Sequence, residues 1–169
     1  MLRLDLGRLG REGSVEVKAR VPADAPLWKD SGVKWAEPVE VQLTASYAGT
    51  GEVVVRGAVG GTLEQQCRRC LKDVRGTVKH DVTMVFASAD TPGVEDDVGV
   101  HVYGLEAELD LSEAVREEIV LAVDPYVVCD SECKGLCPQC GVDWNFQECD
   151  CEVDEADPRW EALRALKEK

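Results

Sequence analysis

Four stretches of the chain alternate apolar and polar residues with a period of two. Gly13 to Val21 sets Val15, Val17, Ala19 and Val21 against Glu16, Lys18 and Arg20. Pro38 to Tyr47 sets Val39, Val41, Leu43, Ala45 and Tyr47 against Glu40, Gln42, Thr44 and Ser46. Gly51 to Val59 and Thr77 to Phe86 repeat the pattern, the latter with Val78, His80, Val82, Met84 and Phe86 on one side. Side chains on a strand point alternately to its two faces, so each stretch predicts a half-buried antiparallel strand. Short turns between them predict a meander that curls into a barrel-like sheet.

Residues 87–100 carry Pro, Gly and three consecutive acids and predict a long exposed loop. Helical spacing begins at Leu111, where Leu111, Ala114, Val115, Ile119 and Ala122 form one apolar stripe. Asp110 is the expected cap, with Glu113 completing a capping box. Asp157-Pro158 announces a second, short helix carrying Trp160, Leu163 and Leu166. The pattern predicts an α+β protein: a mainly antiparallel barrel-like β-sheet, an acidic helix, and a C-terminal cysteine-rich zinc-binding segment. Its expected division is residues 1–128 for the sheet, knuckle and acidic helix, and residues 129–169 for the zinc-binding tail with its short helix.

The chain has 169 residues and a formal net charge of −14. That length buries a core without disulfide staples. The longest aliphatic run, Ile119 to Val123, has five residues, whereas a membrane-spanning helix needs about 20. The N-terminus is interrupted by charges and does not read as a signal peptide, so a cytoplasmic location is expected. The acid excess is uneven: residues 1–84 carry a net +2, residues 85–128 a net −10 and residues 129–169 a net −6. Such a surplus argues against a surface wrapped in nucleic acid, and for a basic partner or one local basic patch.

The eight cysteines carry the chemistry. Cys67 and Cys70 form one CxxC pair; Cys129, Cys133, Cys137, Cys140, Cys149 and Cys151 follow in a second group. In a reducing compartment such spacing points to metal before disulfides. Cys137-Pro138-Gln139-Cys140-Gly141 has the form of a zinc knuckle, and Cys149 and Cys151 can supply the remaining two corners. Cys67 and Cys70 then require Cys129 and Cys133, although Cys133 can equally join the tail site. The expectation is two zinc ions. An iron–sulfur cluster uses the same four thiols, and a redox dithiol is the rival use of CxxC. A thiol redox protein and a generic zinc-ribbon adaptor are therefore the alternatives.

No catalytic constellation is visible. His80 and His101 lack partners at ligand or triad spacing, and Asp110 and Ser112 read as helix-start residues. Neither an enzymatic activity nor a small-molecule substrate is expected. Arg68, Arg69, Lys72, Arg75 and Lys79 form the one basic cluster, a candidate RNA-contacting edge or a counterweight to thiolate charge.

These motifs resemble a known family. Cys67-Arg68-Arg69-Cys70-Leu71, the helix from Leu109 through Ala122, Cys129 to Cys133, Lys134-Gly135-Leu136-Cys137-Pro138-Gln139-Cys140-Gly141, Asn145, Cys149-Asp150-Cys151 and Asp157-Pro158-Arg159 together are similar to the YceD-like family, the large ribosomal RNA subunit accumulation proteins. The resemblance covers about residue 60 to the C-terminus. It implies a non-enzymatic cytosolic factor of bacterial or plastid type that supports accumulation of large-subunit (23S) rRNA. Its partner would be an rRNA precursor or a basic ribosomal protein.

Overall fold

The computed structural model describes residues 2–49, 51–92, 99–104 and 106–151. The chain opens with strand β1 (Arg3–Asp5), which runs directly into helix α1 (Leu6–Glu12). Asp5 caps this helix by accepting the Arg8 N–H at 2.7 Å. Gly13, at φ +75°, ends it and donates its N–H to the Leu9 carbonyl at 2.8 Å.

Strands β2 (Ser14–Val21), β3 (Val39–Tyr47), β4 (Val53–Gln66) and β5 (Asp73–Ser88) form an antiparallel meander, and β6 (Val100–Tyr103) joins β5 in parallel. A separate ladder pairs β1 with β7 (Glu108–Asp110). The register explains why the alternation was so clear. Leu43 lies opposite Val17 and Gly57, and Ala45 lies opposite Val15 and Val55. All of the apolar positions therefore share one face. Val39, Val41, Leu43 and Ala45 are buried, while Glu40, Gln42 and Thr44 look outward.

Helix α2 (Ser112–Ala122) lies on that face against β5 and the 3₁₀ turn at Pro26–Trp28, burying Ala114, Val115 and Ile119. Trp28 and Trp35 meet with ring centroids 5.4 Å apart, and Trp28 donates its indole N–H to the Pro22 carbonyl. The molecule is thus α+β and mostly sheet, as expected. No helix is long and apolar enough to cross a membrane among the described residues.

Several expectations change. The sheet is open, with β2 and β6 as its edges, and does not curl into a barrel. The edge strands β2 and β6 do not pair with each other, and β6 is only four residues long. The helices and tryptophans cover the apolar face instead. Asp110 does not form a capping box: the residue at the helix boundary is Leu111, and Asp110 accepts the Ser112 N–H at 2.9 Å. Strands β4 and β5 run well past Val59 and begin before Thr77, as one long hairpin. The expected loop is shorter, since β5 extends to Ser88 and β6 begins at Val100. The helix expected from Asp157-Pro158 and the acids Glu95, Asp96 and Asp97 lie outside the described residues.

Gly57 of β4 lies opposite Leu43 of β3. A methyl group there would strike the Gln42 carbonyl oxygen and lie 2.8 Å from Leu43 Cα, both of them backbone. Gly57→Ala is expected to destabilise the fold by about 2–4 kcal/mol, read as a lower urea midpoint. Gly10→Ala, inside α1 with nothing within 4 Å of the added carbon, is expected to raise stability by roughly 0.5–1 kcal/mol.

Candidate metal centres

The first CxxC pair is the tip of the β4–β5 hairpin. Gln66 pairs with Asp73 as the last rung. Beyond it the Cys67 N–H donates to the Lys72 carbonyl at 2.8 Å, and the Leu71 N–H to the Cys67 carbonyl at 2.9 Å. Leu71 takes φ 60° to make the turn. Both sulfurs thereby face the segment that follows α2, which supplies Cys129 and Cys133. Cys67 Sγ lies 3.8 Å from Cys133 Sγ, and Cys70 Sγ 3.6 Å from Cys129 Sγ. All four sulfurs lie within 4.8 Å of one another, and three of the four residues are buried.

Cys137, Cys140, Cys149 and Cys151 form the second set under the same 4.8 Å limit. Its knuckle is closed by the Gly141 N–H donating to the Cys137 carbonyl at 2.9 Å, with Gly141 at φ +74°. The Cys137 N–H donates to the Val142 carbonyl at 2.8 Å. Only Cys137 is buried here. Cys133, which spacing alone allowed in either site, belongs with the hairpin tip.

The sulfur separations fit a tetrahedral ion. Metal–sulfur bonds of about 2.3 Å place the corners of a tetrahedron about 3.8 Å apart, whereas a disulfide needs about 2 Å. All eight cysteines are free thiols. Within each set one thiol is eased toward the thiolate and another is held back from it. Burial opposes ionisation of Cys67, but the backbone N–H groups of Cys70, Cys129 and Arg69 outweigh it and bring its pKa down to about 6. Cys129, facing the Cys70 and Cys133 sulfurs, is pushed up to about 12. The second set repeats this. The Cys140 backbone N–H brings Cys137 down to about 6, and the Cys140 thiol pushes Cys151 up to about 12. Four sulfurs so close cannot all carry charge without a cation between them. Each set uses all four corners of a tetrahedron, the form of a structural site.

Much of the basic cluster is committed to this architecture. Arg69 Nη1 donates to the carbonyls of Cys133 at 2.8 Å and Ser131 at 3.1 Å, and its own carbonyl accepts the Leu136 N–H at 3.1 Å. Gly135 packs against that carbonyl: an added carbon would lie 2.9 Å from it, at φ +83°. Arg68 stacks over Tyr126 at 4.7 Å, and its N–H donates to the Val127 carbonyl. Arg75 pairs with Glu64 at 2.9 Å. The side chains of Lys72 and Lys79 make no hydrogen bond or ion pair among the described residues. The histidines stand apart from both clusters. His80 Nε2 is 3.3 Å from Glu118, while His101 is 4.0 Å from Glu117 and stacks on Phe86.

Sequence reasoning missed two contributors. Trp144 Nε1 donates to Cys149 Sγ at 3.3 Å, and Asn145 Nδ2 to Cys133 Sγ at 3.5 Å. Their signal was position: a Trp-Asn pair lodged between two cysteine pairs.

An open mixed sheet whose hairpin tip meets the segment after α2 at one four-thiol cluster, with a second four-thiol cluster built wholly from that segment, defines a class of small cysteine-cluster proteins. The family model for the large ribosomal RNA subunit accumulation protein YceD matches residues 55–167. The chain belongs to the YceD family. It is 30% identical to the uncharacterized protein Rv2926c of Mycobacterium tuberculosis over 169 residues, covering 96% of this chain and 79% of that one. It is 30% identical to the uncharacterized protein YlbN of Bacillus subtilis over 138 residues, covering 81% and 78%. Over 62 residues it is 37% identical to the chloroplastic YCED homolog 1 of Arabidopsis thaliana, covering 37% of this chain and 19% of that one. No solved structure matches.

Arg69→Ala removes two hydrogen bonds from a charged donor to backbone carbonyls, at a cost of about 1.5–3 kcal/mol each. Faster amide exchange across residues 129–137, with the β2–β4 amides unchanged, is the expected result.

Proposed function

We propose that this protein is a non-enzymatic, cytoplasmic factor that supports accumulation of large-subunit (23S) rRNA by holding a basic ribosomal protein, and that each four-cysteine cluster binds one zinc ion. Membership in a family described by large ribosomal RNA subunit accumulation carries the assignment. The Arabidopsis relative bears the same description.

Charge favours a protein over RNA as the direct partner. Residues 85–128 carry a net −10, and each four-thiolate zinc site adds about −2. This field repels phosphate and attracts lysine-rich and arginine-rich surfaces. Of the five bases around the first knuckle, Arg69 holds backbone carbonyls, Arg68 covers Tyr126 and Arg75 pairs with Glu64. Lys72 and Lys79 remain to face a phosphate, too few for more than weak, salt-sensitive binding.

Zinc is favoured over iron by the knuckle form, in which Gly141 follows Cys140 and the backbone N–H groups of Cys140 and Gln139 lean on the Cys137 sulfur. Under this reading residues 1–128 fold on their own apolar face, and the tail from residue 129 depends on metal. Elemental analysis of the purified protein is expected to find about two zinc ions per chain. Chelation is expected to disorder residues 129–151 while strand signals persist. Iron, no metal, or global unfolding on chelation would each overturn this part.

The partner is tested by capture from cell extract at two salt concentrations, with and without RNase. Charge reversal of Glu95, Asp96 and Asp97 to lysine is expected to weaken capture of basic proteins and leave zinc content unchanged. Lys72→Glu with Lys79→Glu, which spares the arginines that brace the clusters, is expected to leave capture intact. If the lysine reversal abolishes function and the acidic reversal is silent, the basic edge contacts RNA and the protein-holding reading is wrong.

A further inference from the structure

Two adjacent residues reach into different clusters. Asn145 Nδ2 donates to Cys133 Sγ of the first at 3.5 Å, and Trp144 Nε1 donates to Cys149 Sγ of the second at 3.3 Å. Neither side chain is a ligand. Each aims an N–H at a sulfur, where it takes up part of a thiolate's charge and fixes the direction of its lone pairs.

The pair is held as a small rigid clip. Asp143 Oδ1 accepts the Asn145 N–H at 2.9 Å and the Asn145 side-chain amide at 2.6 Å, while the Asp143 carbonyl accepts the N–H groups of Phe146 and Gln147. The clip is seated on the link between the clusters. Asn145 Oδ1 accepts the Lys134 N–H at 2.8 Å, and the Trp144 N–H donates to the Gly135 carbonyl at 3.0 Å. Residues 134–136 are all that separates Cys133 from Cys137. The far end of that link is pinned to the first knuckle by the Leu136 N–H donating to the Arg69 carbonyl.

Either ion would therefore order the same parts. An ion in the first cluster fixes Cys133, the link and Asn145, which sets Trp144 against Cys149. An ion in the second fixes Cys137 and Cys149, which sets Asn145 against Cys133. The entropy lost in ordering link and clip is incurred once, by whichever ion binds first, and the second ion meets a preformed half-site.

We propose that the Trp144–Asn145 clip couples the two clusters, so that metal in one raises the metal affinity of the other, and by linkage in equal measure both ways. The proposal rests on the metal reading above. The first cluster, with three buried cysteines and both ends anchored, fills first; the second, with only Cys137 buried, follows.

The test is cobalt(II) titration of the full chain against a chromophoric chelator, read by the thiolate-to-cobalt charge-transfer band. The unaltered chain is expected to take up two ions cooperatively. With the first cluster disabled by Cys67→Ser and Cys70→Ser, the affinity of the second is expected to fall at least about tenfold, within the range typical when outer-shell partners of a metal are lost. Disabling the second by Cys149→Ser and Cys151→Ser should weaken the first by the same factor. Asn145→Ala with Trp144→Phe keeps all eight thiols and is expected to abolish cooperativity between two ions that still bind. Asn145→Ala alone should move the charge-transfer band of the first cluster only. Independent binding in the unaltered chain, or cooperativity untouched in the clip variant, overturns the coupling. An unaltered chain that binds no cobalt overturns the metal reading instead. Should the serine variants fail to show the strand signal of a folded sheet, the clip variant decides alone, because the shape of its two-ion isotherm reports the coupling directly.

Discussion

Two thiols at the tip of a hairpin cannot close a tetrahedral site, and the remaining architecture answers to that constraint. Cys67 and Cys70 must find Cys133 and Cys129, which lie 66 and 59 residues further along the chain. Bringing such distant residues together has an entropic cost that grows slowly with separation, but the approach has to be aimed. Aim comes from the length and register of β4 and β5, paired without interruption from Val53 opposite Phe86 to Gln66 opposite Asp73. It also comes from Trp35, which bridges to Leu63 and packs against Gly61, where an added side-chain carbon would lie 2.9 Å from its ring. The outer half of the hairpin is thus held on one side by a tryptophan. The first-knuckle arginines, stitched to the segment after α2, hold the other.

What was legible in the sequence follows from where the core lies. The inner halves of the strands read clearly because one face is buried and the other wet, so Val39 to Ala45 alternate without exception. The outer half of β5, from Asp73 to Asp81, alternates only between exposed and half-buried positions. With no core to select its residues, its pattern fades, and the strand that alternation predicts begins only at Thr77, four residues after β5 starts at Asp73. Helix α1 was hidden for a different reason. Its seven residues include Gly7 and Gly10, which disfavour a helix by roughly 1 kcal/mol each relative to alanine, so it stands on its cap at Asp5, its stop at Gly13 and the burial of Leu9. The pairing of Arg3 with Asp110 spans most of the chain, and no local pattern encodes such a contact.

The cysteines divide in the same way. Spacing alone identified the knuckle at Cys137 and the need for two further ligands, because a CxxC turn is a local structure. It left Cys133 between two sites, because that choice depends on where the hairpin tip arrives. Leu136, held by the Arg69 carbonyl, and Gly135, packed beneath it at a φ that favours glycine, direct the chain so that Cys133 and Cys137 face opposite clusters. A side chain at Gly135 would press the two segments apart.

The same geometry revises the meaning of the basic cluster. Arginine is suited both to phosphate and to backbone carbonyls, since its planar fork presents several donors in fixed directions, and composition cannot tell the two uses apart. Here the fork of Arg69 is aimed at the carbonyls of Ser131 and Cys133, and Arg68 lies over the Tyr126 ring. A guanidinium beside a four-thiol cluster also offsets charge that would otherwise accumulate at the tip of the hairpin. Bases so placed serve cohesion first. In a chain with 33 acids against 19 bases, two arginines so engaged leave the net field of the molecule negative. A basic macromolecule would meet that field before it met any side chain.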